Sequence, residues 1–164
     1  MDFAELFENF SSSAFRVEGL SEYKVPEEAE ALELFQSIGQ LPPGYNIEWV
    51  ELVSAAVGAG KTMSRLRLLS DELTDYEKFE IAGYAPAQAA GEDVRTARRA
   101  DYEFVEDFWL FDDTWIARMK YDDQGRWLRA DVARVSEQDV EVLDYWKSAF
   151  THAAPLRCRK QTWG

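Results

Sequence analysis

The sequence is poor in the residues that build disulfides and metal sites. It contains one cysteine, Cys158, and one histidine, His152, in 164 residues. One cysteine cannot form an internal disulfide, which fits a reducing compartment. One histidine cannot supply a histidine-rich metal site, and no zinc-ligand spacing is present, so we expect neither a metal ion nor another cofactor. Near the end of the last predicted helix, His152 has a simpler role as a cation favoured by the helix dipole.

Long apolar runs and basic surface charge are also scarce. The N-terminus, MDFAELFENF, has no basic region and no long apolar run, so we expect a cytoplasmic protein without a signal peptide or membrane anchor. The formal net charge is −13, and residues 1–60 carry 11 acidic against two basic side chains. This balance disfavours direct binding to nucleic acid, which needs a cationic surface. An acidic N-terminal half is typical of a solvated face or of a docking surface for a basic partner.

Composition and apolar periodicity predict one globular domain. Hydrophobic residues make up 46% and aromatic residues 14% of the chain, enough for a sizeable core of large rings. Helices are predicted over residues 2–10, 26–39, 46–58 and 74–83, and after Ser136. Strands are predicted in AFRVE, TMSRLRLLS, VRTARR, FWLFDD, TWIARMKYD and RWLRADVAR, with YAPAQAAGED as a loop.

This order of elements predicts an α/β (α+β) fold. We expect a mixed sheet with a C-terminal antiparallel meander and helices packed around it, over residues 1–155. A basic tail over residues 156–164 is expected to be flexible.

The stretch AAVGAGKT, residues 55–62, has nearly the spacing of a phosphate-binding loop, with Ala55 in place of the first glycine. A phosphate loop needs a strand before its glycine turn and a helix after it, so that the positive helix end faces the phosphates. Here a helix is predicted before the turn and a strand after it, which places a negative helix C-terminus there. We therefore predict a helix C-cap and no nucleotide site.

Charged residues in the middle of the chain suggest a ligand pocket. Arg65 and Arg67 lie two apart on a predicted strand, so they share a face and could bind an anion or pair with the acids of AGEDVR. Asp112 and Asp113 follow an apolar strand and could line a cleft, although aspartate is also common in hairpin turns. The candidate ligand-binding residues are Arg65, Arg67, Tyr76, Glu92, Asp93, Arg95, Asp112 and Asp113, with Tyr76 as a hydrogen-bond donor.

A second group of residues suggests a partner-docking surface. Acidic side chains at the second helix would supply steering charge, and phenylalanines of the first helix would act as anchors if they are exposed. The candidate residues are Phe3, Phe7, Phe10, Glu27, Glu28, Glu30 and Glu33. No nucleophile motif and no dinucleotide fingerprint is present, so no catalytic residue is predicted.

Four segments together resemble an actinobacterial family of domains of unknown function, over about residues 12–155. They are SSAFRVEGLSEYKVPEEAEA, EWVELVSAAVGAGKTMSRLRLLSDELTDYEKFEIAGYAP, AGEDVR and DFWLFDDTWIARMKYDDQGRW. Members of that family are often encoded beside helix-turn-helix regulators linked to development and antibiotic production, which implies a regulatory or accessory role. The order of elements also resembles half of a phospholipase D-like domain. That superfamily uses His-x-Lys, whereas Ala153 and Ala154 follow His152, so the resemblance implies at most the fold.

Two functions are therefore considered. The absence of a site motif favours a non-catalytic regulatory or accessory protein that docks a partner, with a helix-turn-helix transcription regulator as the suspected one. The alternative is a small-molecule sensor, or a tailoring enzyme of a biosynthetic cluster, with an anion-binding pocket around Arg65, Arg67, Glu92 and Asp112. An acidic mimic of nucleic acid and a homodimer are left open.

Overall fold

Two strands that alternate charged and apolar side chains lie next to each other at the centre of a mixed sheet. The computed structural model describes residues 1–156. In it, β1 (Ser13–Glu18) pairs in parallel with β2 (Thr62–Leu69), and β2 pairs in parallel with β3 (Asp93–Arg98). Both faces of these central strands are covered by other elements, so their side chains are mostly buried.

The predicted meander extends the sheet on the other side of β1. Its strands are β4 (Phe108–Phe111), β5 (Trp115–Tyr121) and β6 (Trp127–Arg134), which pair antiparallel in sequence order. β4 also pairs antiparallel with β1. A short strand that was not predicted, β7 (Ala154–Pro155), pairs antiparallel with β3, and the sheet order is β6-β5-β4-β1-β2-β3-β7.

Five α-helices cover the two faces of the sheet. They are α1 (Phe3–Asn9), α2 (Ala29–Ile38), α3 (Ile47–Gly58), α4 (Asp75–Ala89) and α5 (Val140–His152). The first four lie on one face, and α5 packs alone on the other. Local sequence explains their ends: Asp2 and Thr74 each form a capping box, and left-handed Gly39 ends α2. No helix within residues 1–156 has the length and apolarity needed to cross a bilayer.

The face toward α5 is apolar. Each large side chain buried there contributes about 1.5–3 kcal/mol relative to an exposed one. The cluster comprises Phe15, Val17, Leu66, Leu68, Phe108, Leu110, Ile116, Leu143, Trp146 and Ala149. Phe150 packs against it, whereas Val140 at the start of α5 is 48% exposed.

The opposite face has two separate clusters. One joins α1 and α3 to the sheet around Leu6, Val53 and Trp109, and the other surrounds Tyr76 and Phe79 of α4. Between these clusters the central strands carry charged side chains, and this is where the candidate site lies.

The fold confirms the predicted α/β class and corrects some boundaries. α4 was predicted to end at Gly83, but it continues through Pro86 to Ala89 because buried packing outweighs the proline. Gly91 (φ 115°) follows it, where a Cβ would lie 2.8 Å from Val57 Cγ1. Asn46 precedes α3 with a left-handed backbone, but its side chain makes no capping hydrogen bond.

The glycine-rich stretch is a helix C-cap, as predicted. α3 ends at Gly58 and β2 begins at Thr62, so no helix starts after the glycines. The Lys61 ammonium donates to the Phe10 carbonyl at 2.6 Å and lies 4.5 Å from the centre of the Phe10 ring. Lys61 thus joins α1 to the sheet instead of facing a phosphate.

The domain boundary predicted at residue 155 coincides with the end of β7. Leu156 follows β7, and its N–H donates to the Val94 carbonyl at 2.9 Å. The rest of the predicted tail, including Cys158, lies outside the described residues.

Asp112 holds the start of β1 in place, and this can be tested. Its carboxylate accepts hydrogen bonds from the backbone N–H groups of Ser11, Ser12 and Ser13 at 2.7–3.0 Å. Burial raises the pKa of Asp112, but these bonds outweigh burial and lower it overall. Asp112→Asn puts an amide donor against N–H donors, so we expect a loss of about 1–3 kcal/mol in urea unfolding.

Asp113→Asn is the matched control. Both aspartates have a left-handed backbone, which asparagine tolerates. Asp113 makes an exposed ion pair with Lys147 at 2.7 Å, so its loss should cost under about 1 kcal/mol. Equal costs for the two variants would contradict the anchoring role of Asp112.

Candidate ligand-binding cavity

A cavity of about 890 Å³ opens on the helix-rich face of the sheet. Its walls come from α1, the segment before α2, α3 and α4, and its floor comes from β1, β2, β4 and β5. Ten aromatic and eight charged residues line it. Its volume falls within the range of about 300–1,000 Å³ of small-molecule sites.

The charged floor follows from strand alternation. Arg16 and Glu18 of β1 point to the same face as Arg65 and Arg67 of β2, and the register places Arg16 beside Arg65 and Glu18 beside Arg67. Central strands covered on both faces are usually apolar throughout. Buried charges here must therefore be compensated by one another.

Glu18 is the central acid of this floor. It pairs with Arg65 Nη1, lies 3.9 Å from Arg16 Nη2 and accepts the Tyr84 hydroxyl at 2.9 Å. Burial raises the pKa of Glu18, but Arg65, Arg16 and Arg67 outweigh burial and bring it to about 2. Glu18 is therefore ionised at neutral pH.

Each floor arginine has a further acidic partner. Arg16 Nη2 donates to Asp107 at 2.9 Å, and Arg65 Nε donates to Glu92 at 2.7 Å. Burial lowers the pKa of Arg16, but Asp107 and Glu18 raise it above its ordinary value. These guanidinium groups are thus fixed cations.

Glu80 of α4 is in a different electrostatic state from Glu18. Its Oε1 accepts Arg67 Nη2 at 2.6 Å, and its Oε2 lies 3.2 Å from the Tyr84 hydroxyl oxygen. Burial raises its pKa most, Arg67 opposes this, and Glu18 adds to the increase, so the pKa reaches about 8. Tyr84 therefore connects an ionised carboxylate to a carboxyl that is largely protonated at neutral pH.

Glu28 lines the cavity at the segment before α2. Its carboxyl accepts the hydroxyls of Tyr76 at 3.0 Å and Tyr45 at 3.1 Å. Burial raises the pKa of Glu28 more than these hydrogen bonds lower it. Within residues 1–156, no cluster of three or more acidic, histidine or cysteine side chains could hold a metal ion.

The structure separates the predicted ligand-binding residues. Arg65 and Tyr76 line the cavity. Arg67 is fully buried and pairs with Glu80, and Glu92 lies behind Arg65, where it also accepts Trp49 Nε1 at 3.0 Å.

The other four predicted ligand-binding residues do not line this cavity. Asp93 and Arg95 pair with each other at 3.1 Å, and Arg95 also bonds the Phe150 carbonyl of α5 on the opposite face. Asp112 and Asp113 are occupied in the turn after β4, as described above.

The predicted docking anchors are largely part of the protein's own core. Phe10 is 4% exposed, and Phe3 and Phe7 are half-buried and pack against each other with their ring centres 5.3 Å apart. Phe7 also packs edge-to-face on Trp109 at 5.0 Å. Of the acidic candidates, Glu28 points into the cavity, whereas Glu27, Glu30 and Glu33 are exposed.

Several cavity residues were not predicted. They are Arg16, Glu18, Tyr23, Glu80, Tyr84, Trp109 and Tyr121. A signal for the first two was present, since AFRVE and TMSRLRLL both place charges at every second position of strongly apolar strands. Glu80 and Tyr84 of α4 had no such signal, because their approach to the floor depends on helix packing.

Comparison with known proteins gives a family but no activity. A family described as "Domain of unknown function (DUF6879)" matches residues 1–158, which include every cavity residue. No curated protein matches the chain.

Replacement of Glu18 tests whether it compensates the floor arginines. Glu18→Gln keeps the shape but leaves the buried Arg65 and Arg16 with less negative charge, so we expect a loss of about 3–5 kcal/mol in urea unfolding. The control is Glu22→Gln in the exposed loop that follows β1. A loss below about 1 kcal/mol for Glu18→Gln would show that the floor does not need this charge.

The raised pKa of Glu80 predicts a pH dependence of stability. Between its ordinary value of 4.5 and about 8, the folded protein holds a proton that the unfolded chain releases, so the free energy of unfolding falls as pH rises through this window. Glu80→Gln removes this contribution, and its unfolding free energy should decline less steeply between pH 5 and pH 8 than that of the wild type or of exposed Glu72→Gln. Identical slopes for wild type and Glu80→Gln would refute the assignment.

Proposed function

The chain belongs to the DUF6879 family of domains of unknown function, and we propose that it binds one small organic molecule in the cavity on the helix-rich face. The observation that carries this proposal is the charged floor formed by Arg16, Glu18 and Arg65 beneath aromatic walls. A concave, largely aromatic site with a few convergent polar groups and shifted pKa values is typical of ligand binding.

Stability gives no reason for such a floor. Apolar residues of similar volume in place of a buried ion pair are often neutral or stabilising by about 1–4 kcal/mol. The face toward α5 shows that this same sheet can be packed by apolar side chains. The charges on the helix-rich face therefore favour recognition of a ligand over a purely structural role.

The chemistry of the lining supports binding more directly than covalent catalysis. Among the described residues, no serine, threonine, cysteine or histidine lines the cavity. A tailoring enzyme stays a prediction from the sequence.

A regulatory role is a second candidate, and one observation connects it to the cavity. Glu27 and Glu28 line the cavity, while Glu30 and Glu33 are exposed one to two turns further along the same segment. We propose that ligand binding is sensed at this acidic surface by a protein partner. An actinobacterial origin and a helix-turn-helix regulator as that partner stay predictions from the sequence, as does the phospholipase D-like fold.

The three methionines allow a direct test of the cavity. Met119 lines the cavity, Met63 is buried in the cluster below α3, and Met1 is exposed. In protein labelled with [¹³C]methyl-methionine, fragments from a library of small aromatic and heteroaromatic compounds should shift the Met119 methyl resonance and leave Met1 unchanged.

A blocking variant gives the second part of this test. Followed by calorimetry, Met119→Trp should narrow the cavity and weaken fragment binding by about tenfold or more, whereas Leu128→Trp adds the same side chain at a position that is 55% exposed and should not. The proposal is overturned if no fragment shifts the Met119 methyl resonance of the wild-type protein, whether or not Met119→Trp folds. It is also overturned if a folded Met119→Trp binds the same fragments equally well.

A further inference from the structure

One end of the cavity combines two carboxyls with tyrosine rings. We call it the acidic end and define it by Glu28, Glu80, Tyr45 and Tyr76, all of which line the cavity. The hydroxyls of Tyr76 and Tyr45 both donate to Glu28, and Glu80 lines the same cavity one turn after Tyr76 on α4. A carboxyl within a set of aromatic rings is a favourable environment for an organic cation.

The carboxyls of the acidic end have too little positive charge near them. Within residues 1–156, Glu28 forms no ion pair, and the hydrogen bonds to its carboxyl come from two neutral tyrosine hydroxyls. Glu80 depends on Arg67, whose Nη1 is engaged by the carbonyls of Leu20 at 2.6 Å and Leu68 at 3.1 Å. The upward pKa shifts of Glu28 and Glu80 agree with this shortage.

The part of the cavity near α1 and α3 has unused hydrogen-bond donors. Arg65 uses Nε and Nη1 for Glu92 and Glu18, and within residues 1–156 its Nη2 donates no hydrogen bond. Trp109 is 6% exposed, and its indole N–H also has no partner among the described residues. Both residues line the cavity, and neither of these two nitrogen atoms is fully buried. We call Arg65 and Trp109 the donor end.

We infer that the cavity selects a small organic amine that carries a hydrogen-bond acceptor at its other end. The ammonium group lies between Glu28 and Glu80 against the rings of Tyr45 and Tyr76, and the acceptor, a carbonyl or carboxylate, receives Arg65 Nη2 and Trp109 Nε1. This inference rests on the proposed function, because it requires that the cavity is a binding site.

The same charges disfavour other ligand classes. An anion at the acidic end would approach the carboxyls of Glu28 and Glu80, and Arg67, the arginine that pairs with Glu80, is already engaged. A neutral ligand would add no positive charge near Glu28 and Glu80. An ammonium group adds that charge, and its attraction to the carboxyls is strong because the site is partly desolvated.

Amine binding should also release protons. The cation favours the ionised forms of Glu28 and Glu80, whose pKa values burial raises in the free protein. Other charged and titratable groups surround these two carboxyls. They influence the pKa values of Glu28 and Glu80 in both the free and the bound protein. They are Glu18 and Tyr23 near β1, Arg67 on β2, Tyr45 before α3, Tyr76 and Tyr84 on α4, and Glu27, Lys24 and Arg126 at the rim.

The test uses matched probes on the full chain with the Met119 methyl signal as the readout. The probes are tryptamine, N-acetyltryptamine, indole-3-propionate and tryptophan amide, which share an indole and differ in charge and acceptor. We expect tryptamine to bind about tenfold or more tightly than N-acetyltryptamine and indole-3-propionate, and tryptophan amide, with its added carbonyl, to bind more tightly still. Calorimetry in phosphate and in Tris should show proton release for the amines.

Variants assign the preference to the acidic end. Glu28→Gln retains an oxygen for the tyrosine hydroxyls and should reduce the preference for tryptamine about tenfold with little change for N-acetyltryptamine. Glu30→Gln on α2, an exposed acid outside the cavity lining, should keep the full preference. Arg65 is left unchanged because it also holds the floor together.

The outcomes separate this inference from the proposed function. If N-acetyltryptamine or indole-3-propionate shifts Met119 as strongly as tryptamine does, the cavity binds ligands but the selection of amines is wrong. The same conclusion follows if a folded Glu28→Gln keeps the full preference. If neither these probes nor any fragment of the library shifts Met119, both the inference and the proposed function fail.

Discussion

The ionised carboxylate of Glu18 is the contact on which the charged half of the structure depends. It lies on a central strand, compensates Arg65 and Arg16, and accepts the hydroxyl of Tyr84 from α4. Without an acid at this position, two guanidinium groups would be buried against each other on neighbouring strands. Because the cost of burying a charge grows as water is removed, the open cavity above the floor also helps to make these charges tolerable.

The two faces of the sheet divide the tasks of the domain. α5 covers an apolar face that supplies much of the driving force for folding. On the other face, four helices approach the sheet at its two ends and leave a cavity over the charged strands between them. Two carboxyls of this cavity, Glu18 and Glu80, have pKa values moved in opposite directions by their surroundings, although one tyrosine touches both.

The sequence predicted most of the elements because they depend on local patterns, such as the capping box at Thr74 and the apolar alternation of the meander. It failed where packing outweighs a local signal, as in α4, which passes Pro86. The residues of the cavity were harder to predict from the sequence than the helices and strands. Arg65 and Tyr76 were predicted, but the partners of Arg65 and Arg67 on the floor include Glu18 and Glu80, which are 47 and 13 residues away in the chain. Strand register and helix packing, which one sequence does not show, bring them together.

The apolar face under α5 has a consequence for how such a domain can change over time. Since the core on that side does not include the cavity, substitutions among the cavity's wall residues leave that core intact. Related chains could thus acquire different specificities while they keep the same scaffold, with the Glu18 network as the part that must change as a unit. A domain of this kind is suited to diversification, because the apolar core that stabilises it and the cavity in which new side chains would change specificity lie on opposite faces of one sheet.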